Sequence, residues 1–152
     1  MKKTLHTLTA AAAIVAASLG RAADVAILSG DVSLTVTTAA AGQQPAAVID
    51  ESAQLEWTTL VTDLVKKIIT QTNLAGANFT LSVRAVNISS GDGTGAGAVV
   101  LSTNPADLVV DIPSGILPSD PGTCALRYTA SATAASGAGN DYHSVTFTST
   151  DQ

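Results

Sequence analysis

The sequence predicts an all-β protein, a β-sandwich of about eight strands. Three observations carry this. Apolar and polar residues alternate over short segments, as where Val32, Leu34 and Val36 interleave with Ser33, Thr35 and Thr37; a period of two marks a strand with one buried face. Thr and Val are abundant, and both suit a pleated, half-buried surface. Gly, Pro, Asn and Asp clusters interrupt the alternating segments at short intervals, the spacing of a sandwich rather than of helices.

The first 22 residues read differently. Lys2 and Lys3 precede an uncharged apolar run from about Leu8 to Leu19, and Gly20-Arg21-Ala22 puts small residues at the −3 and −1 positions before Ala23. That is the order of a secretory signal peptide of bacterial type. Its apolar run is shorter than the roughly 20 residues that span a bilayer. The expectation is therefore a signal peptide at 1–22 and one sandwich domain at 23–152. The mature chain is expected to carry no transmembrane segment and to reside in the periplasm, at the cell surface or outside the cell. About 130 residues are enough for one core.

Within the mature part, 24–38 reads as one or two extended segments bent at Ser29-Gly30-Asp31, and 39–45 as a loop. Residues 46–72 fit two patterns. The pairs Val48/Ile49, Leu60/Val61, Leu64/Val65 and Ile68/Ile69 recur about every four residues, as on a helix face. Leu55 and Trp57, however, alternate with Gln54, Glu56 and Thr58, and 66–72 is rich in β-branched residues, which disfavour helix. We read strands at 53–58 and 65–72; a short helix near 46–65 is the alternative. Further strands are expected at 78–87, 99–102, 108–112, 123–134 and 141–150. Loops are expected at 89–97, rich in Gly, and at 113–122, rich in Pro and Gly. The large apolar side chains Trp57, Phe79, Leu81 and Phe147 are the expected core anchors.

Charge excludes some functions. Without 1–22, the basic residues are Lys66, Lys67, Arg84 and Arg127 against twelve acidic ones, a net charge of −8. Such a chain lacks the basic footprint of a nucleic-acid binder and of a protein that docks on anionic lipid. Cys124 is the only cysteine, so no disulfide can form within the chain; it reads as a small apolar residue of a strand.

No motif for catalysis or metal binding emerges. The run from Gly91 to Gly97 lacks the Lys-Ser/Thr and the following helix of a phosphate loop, and only Asp92 and Thr94 offer calcium-type oxygens. It reads as a strand connection. His143 with Asp141, or with Cys124, suggests nucleophilic chemistry only on paper, because no Gly-x-Ser-x-Gly elbow accompanies it; a histidine on a strand surface is the plainer reading. Zinc wants three or four His or Cys ligands, and the mature chain has two such residues. Asp50 and Glu51 are adjacent carboxylates without the aromatic platforms of a saccharide-cleaving site. Asn78-Phe79-Thr80 and Asn87-Ile88-Ser89 fit the glycosylation acceptor pattern, which a bacterial-type leader makes a chance match. The expectation is a protein that is not an enzyme, with no catalytic residues, no metal and no cofactor.

Parts of the chain resemble small exported bacterial proteins of the immunoglobulin-like type. These are Thr123-Cys-Ala-Leu-Arg-Tyr-Thr-Ala-Ser-Ala-Thr-Ala through Asp141-Tyr-His-Ser-Val-Thr-Phe-Thr-Ser-Thr, with Lys67-Ile-Ile-Thr-Gln-Thr-Asn-Leu and Asn78-Phe-Thr-Leu-Ser-Val. The resemblance covers about half of the mature chain and implies an immunoglobulin-like sandwich. More loosely, an exported sandwich with a Thr/Val/Ala-rich first strand resembles pilin and biofilm-fibre subunits, although chaperone-usher pilins usually carry a cysteine pair. The functional expectation is a structural or adhesive extracellular protein, a fibre subunit assembling by strand addition through Val32, Leu34 and Val36. Its partner would be a second copy or another surface protein. The alternative is a monomeric binding module for saccharide or protein.

Overall fold

The computed structural model describes residues 5–12, 25–37, 43–136 and 139–152. The described residues form eleven strands: β1 (Leu5–Ala12), β2 (Val25–Ile27), β3 (Val32–Thr37), β4 (Val48–Trp57), β5 (Lys66–Thr72), β6 (Thr80–Val86), β7 (Thr94–Gly95), β8 (Val99–Val100), β9 (Ala106–Ile112), β10 (Gly122–Ser131) and β11 (Tyr142–Asp151). They make a six-stranded sheet in the order β3-β1-β11-β5-β9-β7 and a five-stranded sheet in the order β2-β4-β10-β6-β8. Pairing is antiparallel except between β1 and β11. No helix among the described residues is long and apolar enough to cross a membrane.

One apolar core joins the two sheets, with Leu34, Ile68, Leu108 and Val145 from the six-stranded sheet and Leu55, Leu81, Val83 and Leu126 from the five-stranded one. β10 shows how sequence makes this arrangement. Cys124, Leu126, Tyr128 and Ala130 are all buried, and the residues between them are half-exposed. The strand is held on both sides, by β4 and by β6. Trp57 ends β4 directly opposite Gly122, and its indole Nε1 donates to the Asp92 carbonyl at 3.2 Å. A Cβ on Gly122 would lie 2.3 Å from that nitrogen, so the ring packs over a position that only glycine can occupy without a shift.

The strands read at 53–58 and 65–72 correspond to β4 and β5, and the alternative, a short helix near 46–65, is not formed. Residues 48–57 are β4, the chain turns at 61–62, and the only helical turn among the described residues is a 3-10 turn at Ala134–Ser136. The four-residue recurrence is misleading because its members do not share a buried face: Ile49, Val61, Leu64 and Val65 are all exposed. The buried set in β4 is Ala53, Leu55 and Trp57, which keeps the period of a strand. The glycine-rich 89–97 loop also holds the two-residue strand β7, paired with β9. Gly93 leads into it at φ 134°, where a Cβ would crowd Val109 and the Val110 carbonyl. Trp57, Phe79 and Leu81 are buried in the core, whereas Phe147 is half-buried against its margin.

Candidate functional site

The unusual feature is the composition of the six-stranded sheet between β3 and β11. β3 buries Val32, Leu34 and Val36, at 3%, 1% and 2% exposure, and exposes Ser33 and Thr37. The residues expected to mediate association thus pack into the core of their own chain. The hydrogen-bonding neighbour of β3 in the sheet is β1, through six residue pairs from Leu5↔Thr37 to Ala10↔Val32. The other edge of β1 runs parallel to β11, through four pairs from Thr9↔Tyr142 to Ala12↔Val145. A strand taken from the segment that reads as an export leader therefore lies between β3 and β11. The cleavage-site residues 20–23 lie outside the described residues.

Upstream of β3 the chain belongs to the other sheet. Val25, Ala26 and Ile27 pair with Trp57, Glu56 and Leu55 as the edge strand β2. Leu28 N–H then donates to the Gln54 carbonyl at 2.9 Å, and Gln54 N–H donates to the Ser29 hydroxyl at 3.2 Å. Residues 28–31 carry the chain from one sheet to the other, and a Cβ on Gly30 would meet nothing within 4 Å. β2 has one hydrogen-bonded neighbour, where β1 has two.

The start of β11 is fixed by buried polar groups. The Asp141 carboxylate accepts from Phe79 N–H at 2.9 Å and from the Asn78 side-chain amide at 2.8 Å. His143 is 1% exposed, contrary to the surface position expected for it. It shares parity along the strand with Val145, and that alternation was the signal in the sequence for its burial. Its Nδ1 shares a hydrogen bond of 3.1 Å with the Thr72 hydroxyl, which also accepts from Leu74 N–H at 3.3 Å. Burial holds the imidazole pKa below its ordinary value, and the Asp141 charge opposes this only in part. The Nε2 atom of His143 has no hydrogen-bond partner among the described residues, nor have the buried Thr70 and Tyr128 hydroxyls.

The pairings that suggest chemistry in the sequence are not assembled. His143 Nδ1 meets Thr72, while both Asp141 oxygens are engaged by Asn78 and Phe79. The buried Cys124 thiol has its pKa pushed up to about 12 by desolvation, so it is a thiol and not a thiolate at neutral pH. Asp50 accepts from the Ser52 amide and hydroxyl, and Glu51 pairs with Arg127. Asp92 is held in its turn by the Ser89 hydroxyl. No group of three or more metal-binding side chains occurs among the described residues.

A second surface feature lies at the end of the molecule formed by residues 59–65 and 113–120. Thr59 hydrogen-bonds to both Pro113 and Ile116 there. Leu60, Val61, Leu64, Val65 and Leu117 are exposed at that end, beside a shallow cleft lined by Asp92, Ile116, Leu117 and Asp120. The chain matches no protein-family model. It matches no curated protein sequence.

Proposed function

We propose that this chain is an exported, non-enzymatic structural or adhesive subunit that assembles by strand addition outside the cytoplasm, on an immunoglobulin-like sandwich. The observation that carries this reading is the strand order β3-β1-β11. β1 comes from the segment with the charge, hydropathy and small-residue order of a cleavable leader. Removal of that leader takes away the partner of six β3 residues and of four β11 residues at once. Unpaired strand edges are templates for another strand, and β-strand addition needs only backbone pairing and alternating apolar side chains. The excess of acidic residues keeps such a subunit soluble before assembly.

The test is to express the full chain in a secreting bacterial host and to characterise the exported material. N-terminal sequencing is expected to begin Ala-Asp-Val-Ala-Ile, and sedimentation and electron microscopy are expected to show oligomers or fibres. An intact Met1 terminus, or a cleaved protein that stays monomeric at high concentration, contradicts the reading. The exposed apolar end beside the 113–120 cleft supports the alternative of a monomeric binding module, which that second result would favour.

A further inference from the structure

We infer that the apolar end at residues 59–65 and 113–120 docks on a second copy of this chain, against the outer face of its five-stranded sheet around Arg84. The contact is separate from strand addition and depends on neither export nor cleavage. It starts from a turn built inside out. The Asp63 side chain is 10% exposed, and its carboxylate accepts from Leu60 N–H at 2.7 Å. The Leu60 carbonyl accepts from Asp63 N–H and from Gly115 N–H, both at 3.1 Å. The buried Thr59 hydroxyl donates to the Pro113 carbonyl at 2.8 Å and accepts from Ile116 N–H at 2.9 Å. These polar groups are thus engaged in holding the turn together and against 113–116. Its aliphatic side chains point outward, Val61 at 76% and Leu64 at 69% exposure. An ordered turn that hides its polar groups and shows its large apolar ones presents a contact face.

Charge selects the occupant. A Cβ on Gly115 would lie 3.4 Å from Val61 Cγ1, so the aliphatic face runs into the cleft lined by Gly115, Ile116, Leu117, Asp92 and Asp120. That cleft holds about 270 Å³, below the usual size of a small-molecule pocket and suited to one long side chain. Two carboxylates and no basic residue line it. It calls for a cation carried on an apolar surface, and the chain itself has one. Among the described residues Lys66, Lys67 and Arg127 form ion pairs, while Arg84 has neither an ion pair nor a side-chain hydrogen bond. Arg84 is exposed on β6, directly opposite Arg127 on β10. Like charges so placed repel, and Glu51 neutralises Arg127 alone. Exposed Val100 lies opposite Ser82, two residues from Arg84 along β6. Arg84 of one copy in the cleft of another, with Val100 against the aliphatic turn, answers both surfaces. The apolar contact supplies affinity and the charge pairing sets the register.

The full chain tests this by analytical ultracentrifugation, made by cell-free synthesis without membranes so that residues 1–22 are retained. There β1 occupies the sheet between β3 and β11, and strand addition does not contribute. The wild-type chain is expected to associate reversibly as its concentration rises. Arg84→Glu and Asp120→Arg, both at exposed positions, are each expected to weaken association about tenfold or more, since each sets like charges against one another. An equimolar mixture of the two variants is expected to restore association, because the reversed face of one then meets the reversed cleft of the other. That recovery also shows both variants to be folded. A wild-type chain that stays monomeric at high concentration, variants that associate as the wild type does, or a mixture that fails to recover would each overturn the inference. None of these results bears on strand addition after cleavage, which the exported material tests.

Discussion

The two sheets of this protein differ in how they are completed. In the five-stranded sheet, β4, β10 and β6 are long and continuous, and the central β10 is paired on both sides by strands from beyond residue 22. In the six-stranded sheet, β11 and β3 meet only through β1. The apolar side chains of β3 are as deeply buried as those of β10, yet its backbone pairing depends on a segment near the start of the chain. Side-chain burial and backbone completion are thus separable. One sheet has both without the first 22 residues, and the other has only the first.

The largest expected effect tests whether β3 packs into its own chain. Leu34→Asp would place an unpaired charge in the core, at a cost above about 4–5 kcal/mol, and the monomer is expected not to fold. Ser33→Asp, one residue away on the exposed face, is expected to change stability by less than about 0.5 kcal/mol. Urea denaturation of the two variants checks the contrast. A folded Leu34→Asp protein would mean that β3 is not an integral part of its own domain.

The self-sufficient sheet is probed at Trp57. Trp57→Ala is expected to cost about 3–5 kcal/mol, because the ring is 1% exposed and packs over Gly122. Phe147→Ala, at the half-buried margin, is expected to cost about 1–2 kcal/mol in proportion to the smaller area it covers. Equal losses would contradict the placement of the two rings. Gly122→Ala is expected to cost about 1–3 kcal/mol through overpacking against the indole, with a change in Trp fluorescence that marks the displaced ring.

These residues also show what was legible in the sequence. The alternation of β10 and β6 could be read directly, because one face is buried along their full length. Trp57 could be read as core because the chain offers few other large aromatics. Residues 46–65 were ambiguous because apolar residues in an exposed turn, Val61 and Leu64 among them, imitate a helix face. β7 is two residues long, too short to show a period, whereas β8 lies within the strand expected at 99–102. The burial of His143 was missed although it shares parity with Val145, since a polar residue gives no apolar signal of its own. The first 22 residues stood out by charge and hydropathy, but their pairing did not. A parallel pairing between residues 9–12 and 142–145 is a contact across nearly the whole chain, and local pattern carries no record of it.

The smallest expected effect concerns pH. Burial lowers the His143 pKa in the folded state relative to its ordinary 6.5. Below pH 6.5 the unfolded chain takes up a proton that the folded chain resists, so stability falls as pH drops from about 6.5 toward the folded value, by no more than about 1.4 kcal/mol per pH unit. Above pH 6.5 this group adds no slope. Denaturation between pH 8 and pH 5 is expected to show the decline, and His143→Asn is expected to lose it. An unchanged slope in that variant would assign the pH dependence to other groups.

With the strand order β3-β1-β11, a chain lacking residues 1–22 is expected to leave its sheet open between β3 and β11. Amide hydrogen exchange on the intact precursor and on the cleaved monomer tests it most directly. In the precursor, the β3 amides and those of residues 142–145 are expected to be protected alongside the β4 and β10 amides. In the cleaved monomer the first group is expected to lose protection while β4 and β10 keep theirs. Protection of β3 and residues 142–145 that is the same with and without residues 1–22 would contradict the role of β1 as the strand between them.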